Sequence, residues 1–96
     1  MTEYEVGRKD DHGKLDWSLM PRSIEQVVRV LMFGANEYSP YGWRKVPDAR
    51  RRYYNAAMRH LQAWWHGEKL DEKSGLPHLA HLICCALFLL EFEEDA

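Results

Sequence analysis

From Leu79 to Leu90 the chain runs twelve residues with apolar side chains, interrupted only by His81. A helix that is apolar nearly all round must be buried on every side, yet twelve residues are too few to cross a bilayer. In a chain of 96 residues, near the lower edge of what builds a self-sufficient core, two other helices cannot cover it. The expectation is an all-α helical bundle completed by homo-oligomerisation, as a homodimer or homotetramer with this helix in the interface. Composition agrees: 46% apolar and 29% charged residues exclude disordered and fibrous classes. A net charge of −2 gives no overall attraction for polyanions, so nucleic acid is not an expected partner. Cys84 and Cys85 are adjacent and form neither a metal-binding spacing nor a disulfide framework, which points to a reducing compartment. The polar start MTEYEVGRKDDHGK has the character of neither a secretory leader nor a membrane anchor, so a cytoplasmic location is expected.

Residues 1–22 carry glycines, Pro21 and scattered charges without a period, and read as an irregular arm whose Trp17, Leu19 and Met20 dock on the rest. Residues 23–96 then read as one helical domain with three main helices. Ser23 is placed to cap the first, with Gln26 at capping-box spacing. Ile24, Val27, Val28, Leu31 and Ala35 follow the spacing of one buried face. Gly34 interrupts that helix where close packing or a ligand approaches, and Ser39-Pro40-Tyr41-Gly42 ends it. Asp48 is the expected N-cap of the second helix, whose stripe is Tyr53, Ala57, Leu61 and Trp64. Arg50, Arg51 and Arg52 crowd the positive end of its dipole, a conflict that calls for an anion or an acidic neighbour. Gly67 stops this helix, and Pro77 fits the first turn of the third. The acidic tail, Glu91 to Asp95, opposes the dipole there and is expected to fray.

Two groups of residues can carry chemistry. His78 and His81 are three apart on the third helix, with Cys85 four further on, so all three share a face. Imidazoles in an apolar segment need partners: a divalent cation, carboxylates, or a role as an acid/base pair. Glu68 and Asp71 lie just upstream, and Arg59 and His60 are the polar members of the second helix's inward-leaning stretch. Together they offer a histidine/carboxylate cluster for a hard or borderline cation, while histidines satisfied by structural hydrogen bonds remain an equal alternative. The second group is basic and aromatic: Arg44, Lys45 and Arg50 to Arg52 among Tyr38, Tyr41, Trp43, Tyr53 and Tyr54. Guanidinium forks match phosphate oxygens, and aromatic faces stack on bases.

The stretches KLDWSLMP, RVLMFGANEYSPYGWRKVPD and AAMRHLQAWWHGEKLDEKSGLPHLAHLICCALFLLE resemble the phage family named for the N-terminal domain of dATP/dGTP diphosphohydrolase, over roughly residues 14–91. That family looks like a distant relative of the MazG-type NTP pyrophosphatases, all-α oligomers that hold Mg²⁺ on carboxylates. Where the MazG-type third helix has ExxD, this chain has His78-Leu79-Ala80-His81. Where the family carries an asparagine, this chain has Cys85. The resemblance implies a metal-dependent hydrolase that cleaves (deoxy)purine nucleoside triphosphates to monophosphate and pyrophosphate. Glu68, His78 and His81 would then be catalytic. His60, Glu68, Asp71, His78 and His81 would hold Mg²⁺ or Mn²⁺, with Zn²⁺ as a further option. Lys14, Arg51 and Arg59 would grip phosphates, and Tyr38 or Trp43 would stack on the base. The alternative is a non-catalytic nucleotide-binding protein, a sponge that holds its ligand intact.

Overall fold

The computed structural model describes residues 7–96; the first six residues of the expected arm lie outside them. Three long helices, α1 (Ile24–Glu37), α2 (Ala49–Trp65) and α3 (His78–Asp95), follow an arm that contains one 3-10 turn, Trp17–Leu19, and a second such turn, Gly42–Lys45, precedes α2. Among the described residues there is no strand, only an isolated bridge between Leu70 and Pro77. The expected all-α class is therefore observed.

The apolar α3 lies between the other two helices. Val27 and Val30 of α1 form a core with Ala80 and Cys84 of α3, and Ile24, Leu76 and Phe88 pack against it. The Cys84 thiol donates to the Val27 carbonyl at 3.4 Å. On its other side α3 runs antiparallel to α2: His60 of α2 meets His78 and His81, while Tyr53 meets Phe88 and Phe92 further along. Trp43, from the second 3-10 turn, stacks on Phe88 with centroids 4.5 Å apart, and Tyr53 meets the same ring edge-on at 5.1 Å. The Tyr53 hydroxyl donates to the Trp43 carbonyl at 3.3 Å, which ties the loop before α2 to the helix seam.

Several expectations are corrected. Ser23 adopts the helical conformation and its hydroxyl caps nothing; the helix is entered through a turn in which Ile24 N–H donates to the Pro21 carbonyl and Glu25 N–H to that of Arg22. Asp48 sits at the cap position in a left-handed conformation (φ 53°) without capping, and its carboxylate instead accepts from Arg51 Nε at 2.6 Å. The arginine cluster thus finds its acidic neighbour within its own first turn. The α1 stripe is narrower than its period implies. Val27 and Val30 are buried against α3, whereas Val28 and Leu31 on the neighbouring side of α1 remain exposed. The tail does not fray: α3 runs to Asp95, and Arg44 holds Asp95 at 3.0 Å and Glu91 at 3.4 Å. Nor do Trp17, Leu19 and Met20 dock on the helices, since Trp17 is 71% and Leu19 79% exposed and Met20 is exposed as well.

Shape follows from this thin core. The Cα radius of gyration is 18.1 Å and the long axis 57 Å, against about 12–13 Å for the radius of a compact domain of this length. Phe88 is the side chain that joins the α1–α3 core to the Trp43–Tyr53 stack. Replacing Phe88→Ala is expected to cost about 3 kcal/mol and to lower the thermal midpoint by roughly 12–24 °C, read by circular dichroism.

Candidate functional site

The site is assembled where α2 and α3 cross the loop that connects them. That loop, residues 66–77, folds back on the start of α3. Lys69 offers its carbonyl to the first α3 amide, His78 N–H, at 2.9 Å, and Asp71 N–H donates to the Leu76 carbonyl at 2.8 Å. The Asp71 carboxylate accepts from Ser74 N–H at 2.9 Å, a side-chain turn that Asp and a serine three residues on are suited to make. Gly75, at φ 72°, supplies the left-handed residue that brings the chain round. The Ser74 hydroxyl accepts from Leu76 N–H at 3.1 Å and lies 2.7 Å from His81 Nε2.

Three imidazoles meet in this seam. His60 Nδ1 is 2.8 Å from His78 Nδ1, and the His60 ring stacks on His81 with centroids 4.6 Å apart and planes 12° apart. Glu68 Oε1 approaches His78 Nε2 to 3.2 Å. The contact is close enough for attraction, but it lies outside hydrogen-bond geometry and leaves this buried nitrogen without a bond. Asp71 Oδ2 is 3.8 Å from His81 Nε2. Donor atoms of His60, Asp71 and His78 all fall within 4.8 Å of one another. A buried ring nitrogen with no bond, beside a second imidazole and a carboxylate, fits a divalent ion of borderline softness.

The electrostatics separate these groups. Burial, then the neighbouring His81 and His78, lowers His60 to about 4. Burial also lowers His81, with Asp71 opposing it in part. Burial pushes the Asp71 carboxyl up, but the Ser74 backbone N–H and hydroxyl, with the imidazoles, outweigh it and hold it below its ordinary range. The nearby thiols move the other way: burial raises Cys84 to about 12 and Cys85 to about 11, so both stay protonated and unreactive.

The cluster opens onto a groove of about 1050 Å³ between α1, α2 and α3. Its polar wall includes Tyr38, Arg59, His60, Asp71, Lys73 and His81, and its apolar wall includes Val28, Leu31, Met32, Leu87 and Leu90. Gly34 lines it too, and a Cβ there would meet nothing within 4 Å. The gap at Gly34 is thus open space rather than tight packing.

Of the residues singled out in the sequence, His60, Glu68, Asp71, His78 and His81 come together, and Arg59 and Tyr38 share the groove with them. Arg51 does not: it faces Asp48, on a separate surface with Arg50, Tyr54 and Glu93. Trp43 lines the groove, but its indole is engaged by Phe88 and by the Arg44 guanidinium 4.5 Å from its centroid, so packing occupies the ring meant for a base. Lys14 stays on the exposed arm and is not among the groove's lining residues. Sequence reasoning missed Lys73, whose ammonium donates to the Tyr38 hydroxyl at 3.2 Å. Neither its spacing nor its charge marks it in a polar linker. Ser74, also passed over as a site residue, could have been found from the Asp-x-x-Ser turn spacing.

The chain matches the family described as dATP/dGTP diphosphohydrolase, N-terminal, over residues 4–96, and it belongs to that family. A relative from Salmonella phage PMBT28, named dATP/dGTP diphosphohydrolase, is 33% identical over 85 residues, covering 88% of this chain and 29% of the relative. The chain therefore spans less than a third of that relative's length. No solved structure matches it.

Because His60 and His81 take up protons less readily folded than unfolded, the unfolded chain binds more protons below the ordinary histidine pKa of 6.5. Their contribution is fully present above that value and is lost as pH falls toward about 4. The thermal midpoint of the metal-free chain is expected to drop steadily between pH 7 and pH 4.5. His60→Phe should flatten that slope, as scanning calorimetry across the range would reveal.

Proposed function

We propose that this chain is the nucleotide-binding helical part of a phage-type diphosphohydrolase that cleaves dATP, dGTP or related purine triphosphates between the α and β phosphates. The reading is supported by family membership, by the relative's name, and above all by one observation. His60, Asp71 and His78 bring donor atoms together, and His60 and Asp71 line, with His81, a groove that also holds Arg59 and Lys73. Kinship with MazG-type pyrophosphatases, a cytoplasmic location and assembly into a homo-oligomer belong to the same proposal.

In this reading the permanent charge of Arg59 and the ammonium of Lys73 draw the triphosphate into the groove. Tyr38, largely exposed beside Lys73, offers the stacking face for the purine, in place of the engaged Trp43. Asp71, held anionic by Ser74, His60 and His78 would hold a divalent ion, with Glu68 orienting His78. The nitrogen-rich donor set suits Mn²⁺ or Zn²⁺ better than Mg²⁺, which prefers oxygen. When bound, such an ion would offset the charge of the phosphates around the reacting phosphorus. His81 is unprotonated at neutral pH because burial lowers it, so it can take the proton of the attacking water. Oxygen then bonds to the α-phosphorus as the bond to the bridging oxygen breaks, and pyrophosphate leaves.

With dATP or dGTP and Mn²⁺, the purified chain is expected to release monophosphate and pyrophosphate. His78→Ala should lower the rate by roughly 100-fold, while Arg51→Ala stays within about twofold because that side chain faces elsewhere. Absence of pyrophosphate from every common dNTP and NTP with Mg²⁺, Mn²⁺ and Zn²⁺ would end the hydrolase reading. Stoichiometric recovery of intact nucleotide would replace it with a binding protein.

A further inference from the structure

The arm is locally structured yet uncovered. Lys14 N–H closes a turn onto the Asp11 carbonyl, the Asp16 carboxylate accepts from Ser18 N–H at 3.1 Å, and Met20 N–H closes the 3-10 turn onto Trp17. On this ordered frame Leu15 is 82%, Trp17 71% and Leu19 79% exposed. The same chain carries a second uncovered apolar surface, the groove wall of Val28, Leu31, Met32, Leu87 and Leu90. Neither surface covers the other.

Chain geometry explains why. The hydrogen bonds from Ile24 and Glu25 to Pro21 and Arg22 fix the arm's exit at the N-terminal end of α1. The histidine cluster lies toward the other end, where Tyr38 follows α1 and receives Lys73. A helix of 14 residues separates those ends by about 20 Å. A two-fold axis crossing the exposed side of α1 removes the separation. It runs the two α1 helices antiparallel and puts the N-terminus of one beside the C-terminus of the other, leaving each groove wall to the incoming arm. The arm of each copy then arrives at the partner's site.

We propose that the chain forms a two-fold dimer with its α1 helices antiparallel, and that the arm of each copy packs into the partner's groove and presents Lys14 to the partner's histidine site. Leu15, Trp17, Leu19 and Met20 together expose on the order of 500 Å². With an equal area of groove, counted for both copies, the contact reaches about 2,000 Å², the size of a stable interface. Charge fits as well. Within one copy the groove's cations are Arg59, Lys73, which is engaged with Tyr38, and Arg44, which is paired with Glu91 and Asp95. A triphosphate with about four negative charges calls for another, and Lys14 supplies it. From Trp17 to Lys14 is three residues, a reach of about 10 Å, so an anchored Trp17 leaves Lys14 free to extend into the polar part of the groove. The role given to Lys14 rests on the hydrolase reading; the placement of the arm does not.

Photo-crosslinking tests the placement without any activity. With p-benzoylphenylalanine in place of Trp17, irradiation of the pure chain is expected to give a product of twice the 11.4 kDa chain mass, mapped by peptide mass spectrometry to residues 27–38 or 81–91. The same group in place of Lys14 should link to the partner's residues 59–81. Links confined to single-chain mass, dimeric links mapping elsewhere, or no links at all would overturn the proposal. Complementation then tests the role. Mixed dimers of Lys14→Ala and His78→Ala chains, isolated through two different tags, should recover about half the wild-type turnover, since one of their two sites carries neither change. Mixed dimers no more active than the single variants would remove Lys14 from the partner's site. If the unaltered dimer hydrolyses no nucleotide, the hydrolase reading falls by itself, and the cross-links alone decide where the arm lies.

Discussion

The 2.8 Å contact between His60 Nδ1 and His78 Nδ1 places polar atoms in a helix seam that is otherwise apolar, and much of the molecule is arranged to accommodate them. Buried imidazoles need partners, and neighbouring helices can offer only other side chains. The connecting loop provides the rest: Ser74 reaches His81, Glu68 approaches His78, and the Lys69 carbonyl receives the first amide of α3. A helix beginning directly after Pro77 has no side-chain cap, so the loop both caps α3 and equips the site. One fold-back serves structure and chemistry together.

Burial acts with opposite sign on the two kinds of titratable group in α3. It disfavours charge on each, keeping His81 unprotonated and Cys84 and Cys85 protonated. The imidazole is thereby left with a lone pair available to a metal or a proton, while the thiols lose the thiolate that would make them ligands or nucleophiles. Cys84 behaves as a small core residue that reaches the Val27 carbonyl. The same environment thus selects which residues of the helix can do chemistry.

A single chain leaves its apolar surface half covered. One seam of α1 and one of α2 are buried, and Leu15, Trp17 and Leu19 of the arm stay exposed. One uncovered apolar surface, Val28, Leu31, Met32, Leu87 and Leu90, is the wall of the groove into which the histidines open.

The period and composition of α3 determined by themselves that this is an all-α chain, because those properties are local and repeat every turn; the burial expected on every side of that helix is not reached, since Leu79, Ile83, Leu87 and Leu90 stay exposed. Helix limits were legible for the same reason, with Gly67 and Pro77 marking them. The residues of the histidine cluster were legible as well, since spacing along a helix fixes which side chains share a face. Caps and partners were not: whether Ser23 caps a helix, or Asp48 receives an arginine instead, turns on backbone angles that many sequences satisfy equally. Only the tertiary structure decided that Trp43 packs while Tyr38 stays open, that Arg51 faces away, and that Lys73 joins the groove. The packing of Trp43 on Phe88 and the meeting of Lys73 with Tyr38 depend on which element arrives beside which, and no local pattern records an encounter between residues thirty or more positions apart.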